Sequence, residues 1–291
     1  MSNIYPIISV VGSSGAGTST VKSTFEHIFR REGVSAVSIE GDAFHRYNRA
    51  DMKAELLRRY AEGDQTFSHF SYEANELGEL ERVFREFGET GKGRTRHYIH
   101  DAEEAERHGV PPGEFTAWTP FEDGADLLFY EGLHGCVVND TVNLPALADL
   151  KIGVVPVINL EWIQKIHRDR EARGYSTEAV TDTILRRMHA YVTCICPQFT
   201  ETDINFQRVP VVDTSNPFIA RWIPTPDESL VVIRFKNPRG IDFPYLTSMI
   251  QGSWMTRANS IVIPGNKQDL AMQLILTPLI ERLVSTARKL R

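Results

Sequence analysis

The chain has 291 residues, 42% of them hydrophobic, which is enough for one substantial core or two small ones. A formal net charge of −6 argues against a general nucleic-acid binder. No uninterrupted apolar run is long enough to span a bilayer and no cationic leader is evident, so a cytoplasmic protein with no nucleic-acid or membrane partner is expected. Cys136, Cys194 and Cys196 make no disulfide framework, and Cys194-x-Cys196 is too tight for a metal-binding pair; reduced, partly buried thiols are expected.

Residues 4–11 are apolar enough for a buried parallel strand, and they run into Gly12-Ser13-Ser14-Gly15-Ala16-Gly17-Thr18-Ser19-Thr20. Glycines let successive backbone N–H groups converge on an anion, and a helix predicted over residues 18–31 aims its free N–H groups at the same point. Strand, glycine loop and helix in this order form a phosphate-binding device with Walker A spacing. Thr18 stands where that pattern has Lys, while Ser19 keeps the hydroxyl that holds magnesium. The missing positive charge must then come from elsewhere, because phosphoryl transfer needs it near the moving oxygens.

A second strand over residues 36–39 ends in Glu40-Gly41-Asp42-Ala43-Phe44-His45, at the carboxyl end where α/β proteins bind ligands. Asp42 reads either as a turn former or as a carboxylate able to take a proton from an attacking hydroxyl. Arg46 and Arg49 lie nearest the cleft on a helix over 48–60, and residues 62–71 read as a loop. Leu77, Leu80, Val83, Phe84 and Phe87 give residues 73–87 a buried helical stripe. The segment 88–120 is an excursion: its basic start leads to His97-Tyr98-Ile99-His100, where alternation hints at a short edge pair, and residues 101–116 are charged with little core.

Residues 126–132 form a central strand ending in Glu131, suited to magnesium beside a loop Ser/Thr. Another strand is predicted over 152–158, irregular at Pro156. A helix over 160–173 puts Lys165, Arg168 and Asp169 on one face, and Gly174 separates it from a second helix running to about Tyr191. This Arg-rich corner, residues 160–193, has the form of a lid over phosphates or of a salt-bridged surface. Strands follow near 205–213, 230–235 and 261–263. Residues 243–257 read as core or interface, and a closing helix spans 268–283 with Pro278 inside.

Together VVGSSGAGTS (10–19), SIEGDAFHRYNR (38–49), FYEGLHG (129–135) and NLEWIQKIHRDREAR (159–173) resemble the bacterial phosphoribulokinases, relatives of uridine and pantothenate kinases. The resemblance covers nearly the whole chain. It implies one α/β P-loop kinase domain: a three-layer fold with a mixed, largely parallel central sheet, helices on both faces and a helical lid. It implies transfer of the terminal phosphate of Mg-ATP to the 1-hydroxyl of ribulose 5-phosphate. Asp42 then matches the base, with Lys165, Arg168 and Asp169 catalytic. His45, Arg49, Tyr98, His100, Arg168 and Arg173 match the sugar-phosphate contacts, and Ser19, Glu131 and Asp169 the metal set. Lys165 is the preferred substitute for the absent Walker lysine. The bacterial form further implies a homo-octamer activated by NADH and inhibited by AMP, with Arg31, Arg234 and Arg257 in the effector region. A related kinase acting on uridine or another small alcohol, or a non-catalytic nucleotide-binding protein, are the alternatives.

Overall fold

The computed structural model describes residues 4–13, 18–155, 157–174 and 176–291, and only the backbone of 18–20, 172 and 173. Ser14, Gly15, Ala16 and Gly17 of the opening loop, and Pro156, therefore lie outside the described residues, as do the side chains of Thr18, Ser19, Thr20 and Arg173.

In chain order the elements are β1 (Ile7–Val11), α1 (Thr18–Arg31), β2 (Ala36–Glu40), α2 (Arg49–Ala61) and α3 (Leu77–Thr90). Then come β3 (Arg94–Thr95), α4 (Ala102–His108), β4 (Thr119–Pro120), β5 (Leu127–Gly132), β6 (Leu150–Val155), α5 (Ile158–Arg173) and α6 (Thr177–Ala190). The chain closes with β7 (Ile204–Pro210), β8 (Ser229–Phe235), α7 (Phe243–Met249), β9 (Trp254–Arg257), β10 (Ser260–Pro264) and α8 (Gln268–Leu290). An eight-stranded sheet has the order β2-β5-β1-β6-β7-β8-β10-β9. Its pairs from β2 to β7 are parallel, and those from β7 to β9 antiparallel.

Alternate side chains of the inner strands feed two cores. Ile8, Val10 and Phe129 join Phe25 of α1 and Ile275 and Ile280 of α8 on one face. Ile7, Leu128 and Tyr130 join Leu80, Phe84 and Phe87 of α3 on the other. Burial on both sides is why these strands read as continuous apolar runs rather than as alternating ones. By length and composition the segment containing α8 could cross a membrane. In the fold it lies on the sheet instead, with Met272, Ile275, Leu276, Ile280 and Val284 buried.

Some boundaries differ from expectation. β6 starts at Leu150, opposite Ile8, and stops at Val155; Ile158, predicted to end the strand, opens α5. Asp149 accepts a hydrogen bond from the Ile7 amide at 2.9 Å, which anchors this earlier start. The edge pair of the excursion falls mainly on Arg94–Thr95 against Thr119–Pro120, with a lone bridge from Tyr98 to Phe115. Within the excursion α4 was not anticipated. It has no buried face; Asp101 caps it by accepting from the amides of Glu103 and Glu104, and left-handed Gly109 ends it. Such a helix offers caps but no apolar period to read. The segment 243–257 divides: Ile250 enters the core, whereas β9 is an exposed edge strand with Trp254 45% accessible.

The ends of β2 and β5 touch backbone to backbone. A Cβ placed on Gly132 would stand 2.6 Å from the Gly41 Cα, so neither side can yield without moving the main chain. Gly132→Ala is expected to cost about 1–3 kcal/mol of unfolding free energy, read from denaturant melts, and to lower activity by displacing the turn that follows Gly41.

Candidate active site

Parallel register makes β1, β5 and β2 end level, with Val10 opposite Glu131 and Glu131 opposite Glu40. The Gly12 amide donates to the Gly132 carbonyl at 3.2 Å, so the glycine loop departs directly beside β5. Glu131 therefore stands at the same edge as the start of that loop. Lys22, one turn into α1, sends its ammonium to Glu40 at 2.6 Å. Burial tends to lower the Lys22 pKa, but Glu40 and then Glu131 outweigh it and hold it above its ordinary value. Buried Ser13 donates to Glu161 at the start of α5, tying the opening loop to the helical corner.

After β2 a 3₁₀ turn, Gly41–Phe44, lifts Asp42 over this edge. Its carboxylate lies between two imidazoles, with Oδ1 3.1 Å from His45 Nε2 and Oδ2 3.3 Å from His100 Nε2. The Asp42 side chain is 39% exposed, which leaves it open to the cleft. Burial would raise its pKa, yet the hydrogen bond and charge of His45, then His100 and His69, hold it well below the usual carboxylate range. Tyr98 packs edge-on to both histidines, with ring centroids 6.2 Å from His45 and 5.0 Å from His100. Arg49 donates through Nη2 to the His100 carbonyl at 2.9 Å. Thus Asp42, His45, Arg49, Tyr98 and His100 form one cluster, and the excursion supplies two of its members. The excursion is held down by buried Ile99 and by Arg96, which donates to the carbonyls of Ala43 (2.8 Å) and His45 (2.7 Å) while stacking 3.7 Å over Phe115. It packs far more firmly than its charge and composition suggest.

A second cluster rides on α5. Lys165 donates to Asp169 at 2.6 Å, as an i,i+4 pair on one helix face can, and Arg168 reaches the other oxygen at 3.1 Å. Asp169 is only 5% exposed and Lys165 18%. Burial pulls the Lys165 pKa down, with Asp169 opposing and Arg187 assisting. Helices α5 and α6 meet through Ile166, Val180 and Ile184, with Trp162 alongside, a small cluster separate from the two main cores. Gly174 at φ 68° closes α5, and the Ser176 hydroxyl caps α6 by accepting from the Ala179 amide at 3.2 Å.

Four side chains outside the expected set complete the picture. His69 lies in the field of Asp42, His45, Arg187 and Lys165, and so between the two clusters; burial first, then Arg187, pushes it down to about 3. His134 is likewise pushed down to about 3, by burial and then His45. Asn75 links His45 to His134, and Arg187 faces Phe70 with Lys165 beside it. No local motif announces Asn75 or His69; Arg187 belongs to the Arg-rich corner and was legible only as part of it.

The three effector candidates divide between the two faces of the sheet. Arg234 on β8 and Arg257 on β9 both pair in register with Ser260 of β10, and Arg234 is exposed on the face opposite Val231, Ile233 and Phe235. Arg31 lies on the α1–α8 side, where it donates to Gln273 (3.2 Å) and Thr277 (2.8 Å).

A strand leading into a phosphate-loop start, an acid, Glu131, on the next strand and the Asp42 carboxylate after the strand beyond match the layout of P-loop phosphotransferases. Residues 7–215 match the Phosphoribulokinase / Uridine kinase family, and the chain belongs to that family. It is 83% identical over 291 residues to Phosphoribulokinase 2 of Cereibacter sphaeroides, covering 100% of both chains. It is 71% identical over 285 residues to Phosphoribulokinase of Nitrobacter vulgaris, covering 98% of each. The solved phosphoribulokinase from Rhodobacter spheroides superposes with a TM-score of 0.90 at 77% identity, over 98% of this chain and 99% of that one.

Glu161 makes a stability prediction. Burial raises its pKa, with Ser13 and Tyr191 only partly offsetting the effect. A carboxyl raised on folding costs nothing below its unfolded pKa, and destabilises progressively as pH climbs from there through its folded pKa. Glu161→Gln keeps an acceptor for Ser13 and should flatten this decline, which has a limiting slope of about 1.4 kcal/mol per pH unit, in urea melts from pH 4 to 8.

Proposed function

We propose that this protein transfers the terminal phosphate of ATP to the 1-hydroxyl of D-ribulose 5-phosphate, giving D-ribulose 1,5-bisphosphate and ADP for the reductive pentose phosphate (Calvin) cycle. The observation that carries the reading is the Asp42 carboxylate, held between His45 and His100 at the strand edge beside the Gly12 loop. A site this rich in histidine and arginine suits an acceptor that already bears a phosphate.

In this reading Gly12 and Ser13, with residues 14–20, cradle the nucleotide phosphates. The adenine ring would enter a cavity of about 230 Å³ whose lining combines apolar Ile163 and Trp222 with polar Thr214, Ser215 and Asn216. That is smaller than the ~300–1,000 Å³ of a whole drug-sized ligand, so it fits a planar part of one. Ser19 and Glu131 are the residues that would hold Mg²⁺, and carboxylate and hydroxyl oxygens suit so hard a cation. Asp169, whose two oxygens already face Lys165 and Arg168, is the third candidate ligand. When bound, the ion supplies positive charge beside the phosphate oxygens.

His45, Arg49, Tyr98, His100, Arg168 and Arg173 hold the sugar phosphate, and Asp42 accepts the proton of the attacking hydroxyl. A carboxylate with a lowered pKa is a weak base, but a loose phosphoryl-transfer transition state asks for the proton late, so position matters more than basicity. Lys165 and Arg168 meet the charge that moves with the phosphoryl group and replace the Walker lysine. Residues 160–193 close as the lid of a single kinase domain, with 88–120 as its excursion.

Asp42→Asn is expected to lower kcat at least ~10²-fold with little change in the KM for ATP, in a coupled assay of ADP release. In the parent protein, a panel of ribulose 5-phosphate, ribose 5-phosphate, uridine and pantothenate should show turnover with the first alone; preference for uridine or pantothenate would refute the reading.

A cytoplasmic homo-octamer activated by NADH and inhibited by AMP completes the proposal. Arg234 and Arg257 flank one row of the sheet while Arg31 lies on its other face, so a common effector site would draw on more than one copy of the chain. Arg234→Ala should leave activity without NADH near parental and abolish most of the stimulation; undiminished stimulation would remove Arg234 from that role.

A further inference from the structure

His45 lies in a place hostile to a cation. His69 (ring centroid 5.4 Å away), His134 and Tyr98 surround it, and Arg187 from α6 adds a repelling charge. Asp42, itself shared with His100, is the acid that faces it. His69 and His134 respond to these surroundings by staying neutral. His45 does not: against burial, the hydrogen bond and charge of Asp42 hold its pKa above the ordinary value, and a second hydrogen bond on the ring edge away from Asp42 adds to them.

There Nδ1 meets Asn75 Oδ1 at 2.8 Å. The orientation of the carboxamide is settled by its other end: Nδ2 donates its two protons to the carbonyls of Ser71 (2.8 Å) and His69 (3.0 Å), with His134 Nε2 lying 3.0 Å away. Turning the amide over would set its oxygen against two carbonyl oxygens. Oδ1 is thus committed to accept, and His45 Nδ1 must donate. Since Nε2 donates to Asp42, both ring nitrogens carry protons.

The backbone enforces the meeting. Residues 45 and 75 form an antiparallel bridge, flanked by Arg46 N–H to Ala74 carbonyl (2.9 Å) and Glu76 N–H to Phe44 carbonyl (2.7 Å). Asn75 is 3% exposed, too deep to touch substrate.

We propose that Asn75 is a positioning residue for phosphoryl transfer: its clamped carboxamide holds His45 as an imidazolium that donates to Asp42 on one edge and presents a fixed positive charge to the sugar phosphate. His45 is then never the proton acceptor, and the base role falls to Asp42 alone. This rests on the reading of Asp42 and His45 as the site, but its primary test needs no turnover.

Side-chain ¹⁵N spectra of histidine-labelled full-length protein at pH 7.5, with His45 assigned by comparison with His45→Gln, should show both ring nitrogens of His45 protonated. A neutral ring in the parent protein overturns the proposal, whatever the variants do. Asn75→Ala should return the ring to a neutral tautomer and lower kcat/KM for ribulose 5-phosphate about 10-fold on the alkaline side, moving the alkaline limb of the pH profile to lower pH. The KM for ATP should hold. A His45 titration unchanged in Asn75→Ala overturns the proposal while leaving the activity reading intact. Full turnover in Asp42→Asn sinks that reading independently.

Discussion

Everything chemical in this molecule depends on three parallel strands ending level. With Val10, Glu131 and Glu40 in one row, the glycine loop, Glu131 and the Asp42 turn leave the same edge of the sheet from three neighbouring strands. Register in a buried parallel sheet is unforgiving, because a slip of one residue would turn core side chains to the wrong face. Gly41 and Gly132 tighten the constraint: their backbones approach so closely that the turn bearing Asp42 rests directly on the end of β5. The catalytic geometry is thereby inherited from the hydrophobic packing of Ile8, Val10, Leu128 and Phe129, residues with no chemistry of their own.

On that frame the protein concentrates charge in two opposed groups. Around Asp42, the carboxylate holds the His45 pKa up while burial pushes those of His69 and His134 down. On α5, Asp169 holds two cations in place. Buried or half-buried charges are costly unless paired and hydrogen-bonded, and each of these has partners on more than one side. Such saturation leaves little rearrangement to make when substrates arrive, which is the condition for electrostatic catalysis. The two groups meet near His69 and Arg187, on segments far apart in sequence, so closure of the α5–α6 corner would alter the field at Asp42 directly.

Fold class and most elements were readable because both-face burial and helical apolar periods leave strong marks, as in β1, β5 and α3. Caps marked the helical corner at Gly174 and Ser176. The errors fall where that signal is weak. α4 is charged all round, so only Asp101 and Gly109 betray it. The boundary between β6 and α5 was misplaced because Ile158 is as apolar as the strand before it, and only pairing with β1 decides where the strand stops. Trp254 and Met255 were read as core or interface, and their exposure on an edge strand removes the core half of that reading.

The sequence by itself determined the phosphate-loop spacing, the acids at strand ends and the basic face at 165–169, because each is a local pattern whose chemistry follows from spacing along one element. Only the tertiary structure decided which distant groups share a proton or a charge. Asn75 and His69 carry no local signature, while His134 in FYEGLHG and Arg187 in the Arg-rich corner carry one that does not say what they meet; their significance arises from a backbone bridge between residues 45 and 75 and from the packing of α6 over the cleft. Protonation states depend on burial and on neighbours in space, and neither is written in the order of residues.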